Sequence, residues 1–188
     1  ITSLLIAGRV GSGKSTFLHQ IIRQVIRKYP TKYEAELVLL DPKGVEFAKY
    51  RGEPNLRLPI VTDKDTAIDT LEELTYGSPF APVFVFIDEY AEWALADTRF
   101  RNAVTELAKV GKKRNVYLFT ATQCDRPDIL SKDFLGAFDR IGAFKVLDKA
   151  ASRRLIGDVG AEQLAPGEMI LLDKEKGEKL CCRVTKNS

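Results

Sequence analysis

The stretch "LLIAGRVGSGKSTFLHQII", from Leu4 to Ile22, decides the fold. A short apolar run is followed by a glycine-rich loop, and then by a segment whose apolar residues recur at helical spacing. The loop matches the spacing G-x-x-x-x-G-K-[ST], formed by Gly8, Gly13, Lys14 and Ser15. A glycine-rich turn without a ligand is the alternative. The complete motif, in the strand–helix context that it requires, disfavours that alternative.

This loop predicts a pocket for the phosphates of ATP. Its glycines let successive N–H groups turn inward, and the N-terminus of the following helix adds the positive end of its dipole. Lys14 is predicted to contact the β- and γ-phosphates, and the hydroxyl of Ser15 to bind Mg²⁺. The residues expected to surround the nucleotide are Gly8, Arg9, Val10, Gly11, Ser12, Gly13, Lys14, Ser15 and Thr16.

A second stretch, "APVFVFIDEYAEW" at residues 81–93, ends an apolar strand in two adjacent carboxylates, Asp88 and Glu89. Ligands of such sheets bind at the carboxyl ends of the strands. Asp88 is predicted to hold Mg²⁺ together with Ser15, and Glu89 to polarise a water for attack on the γ-phosphate. Two acids that merely cap a loop are the alternative. The pair favours nucleotide hydrolysis, and the absence of an N-K-x-D sequence argues against a GTPase.

A third stretch, "TATQ", ends another apolar strand at Gln123. An amide at a strand tip in the same crevice can contact the γ-phosphate or the attacking water. Gln123 is therefore a candidate sensor of the nucleotide state, and a solvated loop residue is the alternative. His19, the only histidine, is expected to be a half-buried helix residue and not a ligand.

Strands and helices alternate along the chain, which predicts an α/β fold with a mostly parallel central sheet flanked by helices. A C-terminal β-hairpin is predicted around Lys174–Gly177. Strands are predicted at residues 4–7, 36–40, 58–61, 83–87, 116–121 and 141–146, and helices at residues 14–29, 63–76, 97–108 and 129–135.

Composition sets the outer limits. With 188 residues and 45% hydrophobic content, we expect a single domain over residues 1–188, and because Ile1 already opens an apolar run we interpret it as a fragment of a longer protein. The net charge of +3 does not by itself identify a nucleic-acid partner.

No run approaches the roughly 18 apolar residues of a membrane helix. The three cysteines lack metal-ligand spacing and favour a cytoplasmic compartment. Any anchor at the inner face of the cell membrane would lie in segments outside this chain.

Taken together, the motifs resemble the motor domain of the FtsK/SpoIIIE family of DNA translocases. The resemblance rests on "GRVGSGKS", "LVLLDPKGVEF", "VFIDE", "NVYLFTATQCDRPDIL" and "DRIGAFKVLDKAASRRLIGDVGAEQLAPGEMIL". It implies a RecA-like P-loop ATPase core, a ring of six subunits, and ATP-driven movement along double-stranded DNA, as in chromosome segregation or conjugative transfer.

Two other functions remain open. Relatives of this family use the same motor in type VII secretion, where the substrate is a protein, and a module whose ATP binding only drives assembly is also conceivable. The intact Lys14, Ser15, Asp88 and Glu89 argue against the assembly module. The sequence "DPKG" followed by "VEF" resembles the DNA translocases more than the secretion ATPases. The basic clusters at residues 109–114 and 153–154 fit either a DNA contact or solvated helix ends.

Charge that develops on the transferred phosphoryl group favours a guanidinium donor, yet the phosphate loop contains only Arg9. We therefore expect a neighbouring subunit to supply an arginine, with Arg153 ranked first, Arg140 second and Arg114 third. Arg140 could instead be structural and pair with Asp139 or Asp133.

The "DPKG" loop is expected at the carboxyl edge of the sheet. Asp41, which closes the second strand, is predicted to order this loop by accepting backbone N–H bonds. Lys43 and Gly44 are predicted to lie near the subunit boundary, and a plain strand-ending turn is the alternative.

Overall fold

The computed structural model describes residues 3–184, in which seven strands form one sheet. The strands are β1 (Leu4–Ala7), β2 (Glu36–Leu40), β3 (Val83–Ile87), β4 (Val116–Thr122), β5 (Arg140–Ala143), β6 (Glu168–Asp173) and β7 (Glu178–Arg183). Their order is β2-β3-β4-β1-β5-β6-β7. Neighbours from β2 to β5 pair in parallel, and the β6–β7 hairpin adds antiparallel to β5. The predicted mostly parallel sheet and the C-terminal hairpin are confirmed.

Six α-helices flank the sheet in the described part of the chain. They are α1 (Lys14–Lys28), α2 (Lys64–Tyr76), α3 (Tyr90–Ala94), α4 (Thr98–Val110), α5 (Lys132–Ala137) and α6 (Lys149–Ile156). Short 3-10 helices lie at Ala48–Tyr50, Gly111–Arg114 and Ala161–Gln163.

The sheet is covered on both faces because its central strands are apolar on both sides. Val85 and its alternate neighbours pack toward a core that includes α2 and α4, while Phe86 and its alternate neighbours pack toward α1. On the α1 side, Phe86 stacks on Phe119 of β4, with ring centroids 4.8 Å apart. This two-sided burial explains why β3 contains no polar side chain between Val83 and Ile87.

The predicted bounds of β1, β2 and β3 are confirmed, and α2 begins one residue after its predicted start, because Asp63 caps it. Asp63 accepts a hydrogen bond from the Thr66 N–H at 2.8 Å. Helix α5 begins three residues later than predicted, because Ser131 caps it by accepting from the Phe134 N–H at 3.2 Å. Helices α3 and α6 were not predicted, although Asp148 before α6 and Gly157 after it are typical capping residues.

The strand predicted at residues 58–61 is wrong. The segment touches β2 only at isolated bridges, Leu37 with Leu56 and Leu40 with Val61. Pro59 lies between these two points and has no N–H to donate, so a continuous ladder cannot form there. The strand predicted at 141–146 also ends early, at Ala143, and the segment after it contacts the phosphate loop, where the Lys145 carbonyl accepts from the Arg9 N–H.

The predicted partners of Arg140 are wrong as well. Arg140 Nε and Nη2 lie 3.0 and 2.9 Å from Asp173 Oδ2, because residues 140 and 173 face each other in the β5–β6 ladder. The side chain of Asp173 is only 7% exposed. Arg140 is therefore a structural residue of its own chain, at the end of β5 farther from the phosphate loop.

We predict that Arg140→Met lowers the melting temperature by roughly 3–6 °C, because it leaves a buried carboxylate without its partner. Thermal denaturation followed by circular dichroism measures this. The double variant with Asp173→Asn should melt at a higher temperature than Arg140→Met alone. Equal melting of all these proteins would show that the ion pair has no structural role.

Candidate nucleotide-binding site

The phosphate loop joins β1 to α1 and adopts a backbone that only glycine accepts easily. Gly11 and Gly13 have φ angles of +75° and +112°, in the left-handed region. A Cβ atom on Gly8 would lie 2.7 Å from the Cβ of Phe144. The glycines are thus needed for the path of the loop and for its close approach to the segment after β5.

Neighbouring strands hold the loop in place. The Gly8 N–H donates to the Thr122 carbonyl at 3.2 Å, and the Arg9 N–H donates to the Lys145 carbonyl at 2.8 Å. Beyond the loop, the first N–H groups of α1 have no carbonyl partner within the helix. They point, with the positive end of the helix dipole, toward the position that an anion would take.

Lys14 is the buried cation of the site. Its Nζ donates to the carbonyls of Gly8 at 2.7 Å and Arg9 at 3.0 Å, both in the loop itself. Burial lowers the pKa of Lys14, and the charges of Glu89 and Asp88 oppose that change. The ammonium group is therefore poorly hydrated and gains from a nearby negative charge.

A cavity of about 480 Å³ opens over the loop and the start of α1. Its lining consists of Gly11, Gly13, Lys14, Ser15, Thr16, Pro166, Gly167 and Val184. Sequence reasoning missed the last three, which flank β6 and β7. The Gly167 N–H donates to the Ser12 carbonyl at 2.8 Å, so the start of β6 closes one side of the loop. The sequence offered one signal for these residues, the glycine at position 167 in the quoted stretch that ends in "APGEMIL". In the structure Gly167 has a φ of +85°.

The other predicted loop residues lie outside this cavity. Arg9 and Gly8 line a separate cleft of about 180 Å³ together with Gln123 and Cys124. Val10 is 81% exposed. Ser12 Oγ is buried and has no hydrogen-bond partner among the described residues.

Asp88 follows β3 directly and is anchored by its N–H, which donates to the Leu40 carbonyl at 3.1 Å. The pKa of its carboxyl group is raised to about 6, chiefly by burial and also by the negative charges of Glu46, Glu89 and Asp41, while Lys14 opposes the increase. Within residues 3–184 Asp88 takes part in no ion pair closer than 4.0 Å. A carboxylate in such surroundings is stabilised by a bound cation.

Glu89 has a left-handed backbone, with a φ of 48°, which is strained for a residue that carries a Cβ. Its Oε1 accepts from the Gln123 N–H at 3.2 Å and faces the Thr122 hydroxyl at 3.4 Å. The tip of β4 thus holds the Glu89 carboxylate. The structure brings Glu89 and Gln123 together through the backbone of Gln123, whose side chain is exposed.

The "DPKG" loop after β2 lies at the same edge. Asp41 is fully buried and accepts from the N–H groups of Lys43, Gly44 and Phe47 at 3.2, 3.0 and 3.0 Å. The predicted ordering of this loop by Asp41 is confirmed. Lys43 Nζ lies 3.7 Å from Glu92 of α3, which ties the loop to the helix that follows Glu89.

No arginine lines the 480 Å³ cavity in the described part of the chain. Arg153 is exposed on α6, and its neighbour Arg154 donates to the Asp125 carbonyl. Arg114 is exposed in the turn before β4. This turn lies at the amino ends of the parallel strands, opposite the carboxyl ends that carry the phosphate loop. None of the three candidate arginines therefore lines this cavity in the described part of their own chain.

These features fit a nucleotide with Mg²⁺. The loop offers N–H groups and a buried ammonium for the phosphates. The orphaned Ser12 hydroxyl and the unpaired Asp88 carboxylate are polar groups that lack partners within the described chain. Hard oxygen donors such as the Ser15 hydroxyl and the Asp88 carboxylate are the ligands that Mg²⁺ prefers.

Comparison with known proteins agrees with this site. Residues 2–77, which include the phosphate loop and the "DPKG" loop, match the family model of the FtsK/SpoIIIE family. The DNA translocase FtsK of Staphylococcus aureus is 29% identical over 203 aligned positions, which cover 89% of this chain and 26% of that protein. The chain thus spans about a quarter of the length of this relative.

Two solved structures share the fold across nearly the whole chain. The pCW3 conjugation coupling protein TcpA, solved as a monomer with ATPγS, superposes with a TM-score of 0.81 at 18% identity, over 97% of this chain and 60% of that one. The cytoplasmic domain of the type VII secretion ATPase EccC of Thermomonospora curvata gives 0.80 at 19% identity, over 98% and 25%. The chain therefore has the fold of these two ATPase structures, and it is similar in sequence to the FtsK/SpoIIIE family.

Proposed function

We propose that this chain is an ATP-hydrolysing motor that moves double-stranded DNA. The observation that carries the proposal is the position of Asp88 and Glu89. Both carboxylates lie at the mouth of the phosphate loop, close enough for their charges to act on Lys14. A phosphate-binding loop, a cation-binding carboxylate and a second carboxylate held at the tip of β4 are the groups that hydrolysis of ATP requires.

Each residue has a role in this proposal. Lys14 exchanges the carbonyls of Gly8 and Arg9 for oxygens of the β- and γ-phosphates. Ser15 and Asp88 would hold Mg²⁺, which would supply positive charge to neutralise the phosphates. Glu89 accepts a proton from the attacking water as general base.

Gln123 reports the state of the γ-phosphate in the same proposal. Its N–H donates to Glu89, so a change at the tip of β4 moves the base directly.

We predict that Lys14→Ala abolishes nucleotide binding, whereas Glu89→Gln keeps binding and loses on the order of 10²–10⁴ in hydrolysis rate. The reason is that Lys14 contributes binding charge and Glu89 contributes the base. Fluorescence titration with a labelled ATP analogue measures binding, and phosphate release measures hydrolysis. Hydrolysis by Glu89→Gln at the parent rate would remove Glu89 from the mechanism.

Double-stranded DNA is the substrate that we favour. The relative with 29% identity is named a DNA translocase, while the secretion ATPase shares the fold at lower identity. The exposed residues Lys112, Lys113 and Arg114 form no ion pair within residues 3–184, so they are free to contact phosphates. A secretion ATPase that moves protein substrates is the second candidate, because its fold is as similar as that of the conjugation protein.

We predict that duplex DNA raises the steady-state ATPase rate several-fold and that the effect weakens as salt increases, because phosphate contacts release counterions. The measurement is phosphate release with and without DNA at two salt concentrations. Glu89→Gln, treated identically, serves as the control for contaminating ATPases. An ATPase rate that DNA leaves unchanged would favour the secretion-type function.

We further propose that the motor works as a hexameric ring in which an arginine of one subunit completes the ATP site of the next. The arginine-free cavity supports a donor from outside the chain. Arg153 is the first candidate, because it is exposed on α6, the helix that follows the carboxyl end of β5. Arg114 is also free, whereas Arg140 would first have to leave Asp173, so it becomes the weakest candidate.

Mixing two inactive variants tests this arrangement. Arg153→Ala and Lys14→Ala should each be inactive, and their mixture should recover partial ATPase activity, since some interfaces then contain both intact groups. Arg114→Ala with Lys14→Ala is the matched comparison. Mixed rings that form but stay inactive with Arg153→Ala would exclude Arg153.

The cellular location stays a prediction, with the motor on the cytoplasmic side of the membrane. Among residues 3–184, no helix has both the length and the apolar character needed to cross a bilayer.

A further inference from the structure

His19 forms a hydrogen-bonded cluster beside the site that none of the roles above uses. Its Nε2 lies 2.7 Å from Glu46 Oε1, and its Nδ1 lies 2.9 Å from the Tyr50 hydroxyl. The side chain of His19 is 11% exposed and that of Glu46 is 32% exposed. We call these three residues the His19 cluster.

The chemistry of the partners assigns the protons in this cluster. An ionised carboxylate can only accept, so Nε2 carries the hydrogen and donates to Glu46. Burial and the nearby charge of Lys49 lower the pKa of His19, which keeps the imidazole neutral at neutral pH despite Glu46. The Nδ1 atom of a neutral ring then accepts from the Tyr50 hydroxyl.

The position of the cluster gives it more than a packing role. His19 lies four residues after Ser15 on α1, and residues at this spacing share one face of a helix. Glu46 belongs to the loop that Asp41 orders after β2, and its charge acts on Asp88. The cluster therefore links the helix that carries Ser15 to the loop beside Asp88.

This link matters because the two proposed Mg²⁺ ligands come from different elements. Ser15 is on α1, and Asp88 follows β3. Asp88 is bonded through its N–H to Leu40 at the end of β2. The loop that follows β2 is thus fixed to the Asp88 side by the backbone and to the Ser15 side by the hydrogen bond between His19 and Glu46.

We propose that Glu46, held by His19, which Tyr50 in turn orients, is a positioning residue that sets the distance between Ser15 and Asp88 for a Mg²⁺–nucleotide. The inference rests on the proposed ATP site and adds a third carboxylate to it. Glu46 acts through the metal ligands and not on the phosphates. Partners that orient metal ligands from the next layer typically change metal affinity by about 10–100-fold when they are lost.

The test compares nucleotide binding with and without metal. In Glu46→Gln we expect the Mg²⁺ concentration that gives half-maximal tightening of a fluorescent ATP analogue to rise about 10-fold or more. Affinity for the analogue in EDTA should match that of the parent protein, because the phosphate loop is unchanged. A merely structural role would weaken binding in both conditions or lower the melting temperature.

Glu53→Gln is the matched control, since it makes the same change just beyond the 3-10 helix that contains Tyr50. We expect its Mg²⁺ dependence to equal that of the parent. His19→Ala should shift the Mg²⁺ dependence in the same direction as Glu46→Gln, and the double variant should shift it no further than the larger single effect. Tyr50→Phe, which removes one hydroxyl, provides a milder variant should His19→Ala fold poorly.

The outcomes separate the two levels of the proposal. Unchanged Mg²⁺ dependence in Glu46→Gln, with normal binding by the parent protein, overturns the positioning role and leaves the proposed function intact. Equal losses of analogue affinity with and without Mg²⁺ in Glu46→Gln also overturn it, as do additive effects of Glu46→Gln and His19→Ala in the double variant. A parent protein that binds no nucleotide overturns both proposals.

Discussion

A parallel sheet that is covered on both faces has no place inside it for an unpaired charge, and the rest of this structure depends on that constraint. β3 is apolar and buried along its whole length, so its first polar side chains, Asp88 and Glu89, come where the strand leaves the sheet. The loops after β1, β2 and β4 leave at the same edge. The charged chemistry of the domain is thereby concentrated in one crevice.

The sequence predicted what depends on local spacing. The phosphate loop, the buried strand β3 and the role of Asp41 each rest on contacts within a few residues, and the structure agrees with them. Contacts between distant segments could not be predicted. Gly167 reaches Ser12 only through the hairpin at the end of the sheet. Arg140 pairs with Asp173 because the register of β5 and β6 places the two residues opposite each other. The residues next to Arg140 in the sequence do not reveal this register.

Burial shifts the pKa values of Lys14 and Asp88 in opposite directions, and in both cases it disfavours the charged form. The mutual attraction of these groups compensates only in part, because the net pKa of each group stays shifted in the direction that burial causes. Charges held in this way reduce the stability of the ligand-free protein. They also make binding of a polyphosphate with its cation more favourable, because the ligand supplies the missing partners.

The strained backbone of Glu89 belongs to the same arrangement. A left-handed residue at the start of α3 turns the chain sharply, so that the carboxylate meets the tip of β4 while Asp88 stays beside β2. The two adjacent acids are thus held by different strands. Asp88 is attached to the end of β2, next to the loop that contains Glu46. Glu89 is attached to Thr122 and Gln123 at the tip of β4. A displacement of one strand tip can therefore move the proposed base relative to the proposed metal ligand, which is the kind of motion that the proposed motor would need to couple hydrolysis to mechanical work.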